Sequence, residues 1–125
     1  MNREHKFLAY HKQEQKMYYV RRINFDAQTG LPYSVFLNTI PWDIGINLVE
    51  LREYTGRKDS KGTEIYEGDI VRFKLSEGTG AFFVGAVEYG KAEFIVDGTE
   101  NLSSVIVVGV LGNIYENGHL LEEQE

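Results

Sequence analysis

The chain has 125 residues, 42% of them hydrophobic, 26% charged and 13% aromatic, with a formal net charge of −6. This composition excludes a disordered or collagen-like chain, and no run of roughly 18 apolar residues marks a membrane helix. The absence of cysteine removes disulfides, thiol nucleophiles and thiolate metal sites. Met1–Lys6 lead into no long apolar segment, so the expectation is a cytoplasmic protein without a signal peptide. Charge is distributed unevenly. Residues 1–22 carry six basic side chains and two acidic ones, whereas residues 75–125 carry one and nine. Such polarity can steer a partner or attract a second copy of the chain.

The dominant period is two, and it predicts strands in chain order. Lys6–Tyr10 and Met17–Val20 form a hairpin across the polar link His11–Lys16. Phe7, Ala9, Met17, Tyr19 and Phe25 are read as its buried side and the lysines as its wet side. The second strand continues to Phe25, Asp26–Gly30 turns the chain, and Tyr33–Leu37 pairs back, with Pro32 at the strand entrance. Residues 42–54 read two ways. Ile44, Leu48 and Leu51 fit a helix, yet Gly45 and Asn47 lie inside it and Val49–Arg52 alternates; a helical turn followed by a strand to Thr55 satisfies both. Gly56–Gly62 is a polar loop with turn chemistry at Asp59–Gly62. Strands follow at Ile70–Leu75, Phe82–Tyr89, Ala92–Val96 and Val105–Tyr115, separated by residues 77–80, a two-residue turn at Gly90-Lys91, and residues 97–101. Thirteen glycines, mostly at these corners, suit strongly bent strands.

The fold class expected is therefore mainly β with little helix. Residues 1–40 form an N-terminal hairpin or small antiparallel sheet. Residues 48–115 form a strongly bent SH3-like sheet or barrel, and 117–125 form a tail, all within one domain. Val105–Leu111 is apolar on both sides, which predicts a strand covered on both faces. Either the N-terminal hairpin or a second copy of the chain supplies the second cover; the preferred expectation is a homo-oligomer with this strand near the contact.

Candidate chemistry is sparse. Gly-x-Ser-x-Gly and His-Glu-x-x-His are absent, and Gly78-Thr79-Gly80 has no following helix or P-loop lysine. The three histidines, His5, His11 and His119, read as surface imidazoles near the termini. No catalytic residue, cofactor site or metal site is assigned; Glu64, Glu67 and Asp69 are explained by turn chemistry without an ion. Gly68 permits the positive φ of a tight entry turn, and Asp69 accepts backbone N–H bonds across it. Basic residues interleave with aromatics once, at the N-terminus. Lys6, Lys16, Arg21 and Arg22 are candidates to meet nucleic-acid phosphates while Tyr10 and Tyr18 stack on bases. The net charge and the acidic C-terminal stretch oppose this reading.

Tyr54–Gly62 followed by Glu64–Val71 resembles the YopX family of phage and prophage proteins, with Gly56, Tyr66, Gly68 and Asp69 as its structural motif here. Arg3–Tyr10, Met17–Val20 and Leu111–Asn117 are also similar to the family pattern, so the resemblance spans nearly the whole chain. Leu8 and Tyr10 stand where the family usually has Arg and Trp. The resemblance implies a short, mainly β protein of a bacterial host's cytosol, encoded by a phage or prophage. The family's function is unassigned, and it brings no catalytic or cofactor residues. The reading is a non-enzymatic accessory protein acting through contacts with a host or phage protein, with nucleic-acid binding as the alternative.

Overall fold

The computed structural model describes residues 6–76, 80–90, 93–98 and 100–122. The strands are β1 (Phe7–His11), β2 (Lys16–Phe25), β3 (Pro32–Leu37), β4 (Asp43–Gly45), β5 (Val49–Lys58) and β6 (Glu64–Tyr66). They continue with β7 (Asp69–Lys74), β8 (Phe83–Gly90), β9 (Glu93–Val96), β10 (Glu100–Asn101) and β11 (Ile106–Asn113). Single 3-10 turns occupy Ile46–Leu48 and Leu102–Ser104, and α1 (His119–Glu122) is the one α-helix among the described residues. All pairings are antiparallel. The protein is mainly β, as its alternation predicts. The chain divides into two compact units, one of His5–Glu53 and one from Tyr54 onward, and β5 runs through the boundary.

In the first unit the strands lie in the order β4-β3-β2-β1-β5. Ala9, Val35, Leu37, Ile44 and Val49 are buried together, with Tyr18, Val20, Ile23 and Leu51 packed against them. The hairpin forms where alternation places it, but its faces differ from the sequence expectation. Ala9 pairs with Tyr18 and Tyr10 with Met17, so Tyr18 shares the core side and Tyr19 points away, 64% exposed. A register shift between Val20 and Arg22 then resets the alternation so that Ile23 faces inward, and a second shift between Asn24 and Phe25 comes before the exposed Phe25. Residues 42–54 resolve into the short strand β4, one 3-10 turn and the start of β5.

The second unit holds a five-stranded sheet of order β10-β9-β8-β7-β11, while the latter half of β5 pairs with β6. Its core joins Ile65, Val71, Phe73, Val87, Phe94, Val96, Leu102, Val105 and Val107. The expected barrel does not close. The sheet ends at β11 on one side because the place beside that strand is taken by a loop. Ser60 N–H donates to the Val107 carbonyl at 3.1 Å, its hydroxyl donates to the Val108 carbonyl at 2.8 Å, and Val110 N–H donates to Asp59 at 3.2 Å. Covering an edge with a loop is a recurrent way to protect its unpaired backbone groups. On β11, Val105 just before the strand and Val107 are buried, whereas Leu111 is 47% exposed. Gly90 is paired with Glu93 as part of β8 rather than standing first in a turn; Lys91 and Ala92, like Glu77-Gly78-Thr79, Thr99, residues 1–5 and residues 123–125, lie outside the described residues.

Candidate functional site

The family-like motif lies in the second unit, and its side chains bind backbone. Gly68 has φ +89°, a conformation that any side chain would strain. Its N–H donates to the Val87 carbonyl at 2.7 Å, and its carbonyl accepts from Ile114 N–H at 2.8 Å. This one residue thus links β8 to the end of β11. Asp69 is buried, and its carboxylate reaches back across the turn to accept the Tyr66 N–H at 2.8 Å. The Tyr66 ring lies 5.4 Å from that of Tyr54, and its hydroxyl donates to Glu64 at 3.1 Å. Glu64 lies on β6 and Asp69 at the start of β7, and these bonds join both to Tyr66. Among the described residues no three His, Asp or Glu side chains converge to hold a metal ion.

Two further polar anchors complete the motif. Asp59 Oδ1 accepts the N–H groups of Lys61 at 2.8 Å and Thr63 at 2.9 Å, while its other oxygen accepts from Val110. Burial pushes this carboxyl up, but the backbone donors Thr63, Lys61 and Val110, aided by the Lys61 charge, outweigh it and hold the group below its ordinary value. Asn113 plays a similar part at the far end of β11. Its side-chain oxygen accepts from Tyr115 N–H at 3.0 Å and Glu116 N–H at 2.9 Å, and its amide donates to Glu116. Sequence reasoning placed a turn at Asp59 but missed its reach to β11, and it placed Asn113 only within the Leu111–Asn117 stretch of the family pattern, without a role. The spacing Asn113-x-x-Glu116-Asn117 was the available signal, since short amide side chains bond backbone two and three residues on.

The N-terminal candidates do not form one surface. Tyr10 and Tyr18 project from opposite faces of the sheet. The Tyr18 hydroxyl donates to Glu14; that bond, with slight burial and the negative charge, raises its phenol above the ordinary value. Arg22 is committed to Asp43 at 3.0 Å and to Asn24 at 3.1 Å, with its guanidinium 4.8 Å from the centre of the Phe36 ring. Lys16 and Arg21 are exposed on β2, and Lys6 precedes β1. His11 is buried rather than on the surface: its Nδ1 accepts the Glu14 N–H at 3.2 Å, where the hairpin link closes back on β1. His119 is exposed, and His5 lies outside the described residues.

Arg21 borders a shallow groove of about 340 Å³ lined by Phe36, Ile40 and Pro41. Thr39 in this lining has φ +69°, an unusual conformation for a β-branched residue. Trp42 follows directly and is 64% exposed.

The YopX family (YopX protein) matches residues 6–122. The chain belongs to the YopX family. YopX membership suggests a phage-type protein, and the family's function is unassigned. A crystal structure of protein EF1440 from Enterococcus faecalis is similar, with a TM-score of 0.70 and 20% identity, covering 96% of this chain and 99% of that one. At that identity the likeness shows the fold alone. No curated protein matches the chain. Among the described residues, no helix is long and apolar enough to cross a membrane.

Proposed function

We propose that this YopX-family chain is a non-enzymatic phage or prophage accessory protein that acts through protein–protein contacts in the cytoplasm of a bacterial host. The groove beside Arg21 supports the reading. Phe36, Ile40 and Pro41 offer an apolar lining, Trp42, next in sequence to Pro41, is exposed, and the Arg21 guanidinium has no side-chain partner among the described residues. Tryptophan and arginine are the side chains most enriched where binding energy concentrates. The occupant that fits is an apolar segment of a host protein carrying an acidic residue opposite Arg21. The separation of Tyr10 from Tyr18 and the commitment of Arg22 to Asp43 weigh against stacking on nucleic acid.

The test captures partners from host lysate with the parent chain and with an Arg21→Glu, Trp42→Ala variant, then repeats binding with the purified partner. An affinity at least about tenfold weaker for the variant is expected, since an anchor of this kind contributes roughly 1.4 kcal/mol or more. Equal binding by both would overturn the reading. A salt-steep affinity for oligonucleotides that Arg21→Glu abolishes would replace it with nucleic-acid recognition.

Self-association belongs to the same proposal. The Asp59–Ser60 loop occupies the edge of β11, so a second copy is expected to meet exposed side chains such as Leu111 and Ile114 rather than extend the sheet. Sedimentation velocity from about 1 to 100 μM, a range that spans transient affinities, reads this directly. A constant single-chain mass would remove it.

A further inference from the structure

The second unit contains a cleft that the protein-contact reading does not use. Its geometry begins at an irregularity in β5. The pairing of β5 with β6 shifts between Tyr54 and Lys58, and Gly56 adopts φ +85° there. Thr55 secures the distortion: its hydroxyl donates to the Ile65 carbonyl at 2.7 Å and accepts the Arg57 N–H at 3.1 Å. Bulges of this kind re-aim the next side chain. Here that side chain is Arg57, which lines a cleft of about 210 Å³.

Phe94 and Leu102 are buried at this cleft, and Tyr89 stands edge-on to Phe94 with ring centres 5.0 Å apart. Glu93 and Ser103 complete the polar part of the lining. Among the described residues neither the Arg57 guanidinium nor the Glu93 carboxylate makes a hydrogen bond or ion pair, with each other or with any other group. The cleft therefore presents one cation and one anion that do not neutralise each other, beside an aromatic and aliphatic wall. Phosphate would meet repulsion from Glu93, and a simple amine would meet it from Arg57. The volume lies below the roughly 300–1,000 Å³ of drug-sized sites, which favours a ligand smaller than a nucleotide.

We propose that this cleft binds a free α-amino acid with an apolar or aromatic side chain. Arg57 holds the carboxylate through its planar fork of donors. Glu93 accepts the ammonium, and the side chain lies against Phe94, Leu102 and Tyr89. The proposal is independent of the groove in the first unit.

Isothermal titration of the full chain with L-phenylalanine and L-leucine tests it, at ligand up to about 10 mM, a decade above millimolar affinity. Saturable binding of at least one amino acid is expected, with 3-phenylpropionate (no ammonium) and 2-phenylethylamine (no carboxylate) each about tenfold weaker or more. Arg57→Gln should weaken the amino acid and 3-phenylpropionate but not the amine; Glu93→Gln should weaken the amino acid and the amine but not 3-phenylpropionate. A thermal midpoint without ligand verifies that each variant is folded, and Glu93→Gln, at an exposed position, carries the test if Arg57→Gln is not. Absence of saturation with the parent chain would overturn the proposal. So would binding unchanged in the folded variants, or an N-acetylated peptide ending in phenylalanine that binds as well as the free amino acid.

Discussion

Two polar networks, one in each unit, are built differently. In the second unit, Asp59, Asp69 and Asn113 are buried, and each accepts backbone N–H groups at a turn or strand edge. In the first unit, Arg22, Asn24 and Asp43 form a network of side chain with side chain, largely exposed. A buried carboxylate that satisfies several N–H groups leaves all of them unpaired when removed, whereas water replaces the partners of an exposed pair. The family-like motif is thus fixed by structure in the second unit, while the Arg22–Asp43 pair of the first unit lies open to solvent.

Asp59→Ala should break this contrast most. It strips the acceptor from the N–H groups of Lys61, Thr63 and Val110 and loosens the loop that covers β11. A loss of about 3 kcal/mol or more is expected by urea unfolding, since each stranded donor costs roughly 1–3 kcal/mol. Its acid dependence sharpens the point. The folded-state pKa of Asp59 is depressed, so its stabilisation is complete above the unfolded value of about 3.9 and is lost as pH falls through the folded value. Asp59→Asn should therefore unfold with a shallower acid limb than the parent; an identical limb would remove Asp59 from the account.

Gly68→Val comes next. Valine at φ +89° carries backbone strain, and a loss of roughly 1–3 kcal/mol is expected. A thermal midpoint equal to the parent's would show that the linkage between β8 and β11 tolerates a changed backbone. Arg22→Ala should matter least. Its pair with Asp43 is exposed, and such pairs contribute about 0–1 kcal/mol. A loss of 3 kcal/mol in urea unfolding would erase the difference between the units.

The strands of both units were legible because period-two alternation and glycine-bounded turns are local signals. The turn at Gly68-Asp69 was legible for the same reason: a glycine before an Asx residue offers positive φ and a nearby acceptor within a few residues. The faces of β2 were not. Met17-Tyr18-Tyr19-Val20 is apolar or aromatic at every position, so its alternation carries no sign, and the register shift after Val20 leaves no mark in composition. The candidate clefts were also hidden. Arg57 reads as one charge in a polar loop until Gly56 and Thr55 set its direction beside Phe94 on β9 and Leu102 in the 3-10 turn after β10.

The sequence by itself determined a cysteine-free, mainly β chain, the turns at Asp59 and at Gly68-Asp69 and its family pattern, because these rest on residue chemistry within a few positions. The tertiary structure alone decided that the sheet stays open, that Asp59 holds Val110 from 51 residues away, and that Gly68 joins Val87 to Ile114. Such bonds depend on which strands become neighbours, and that is set by burial of the whole core rather than by any local run of residues.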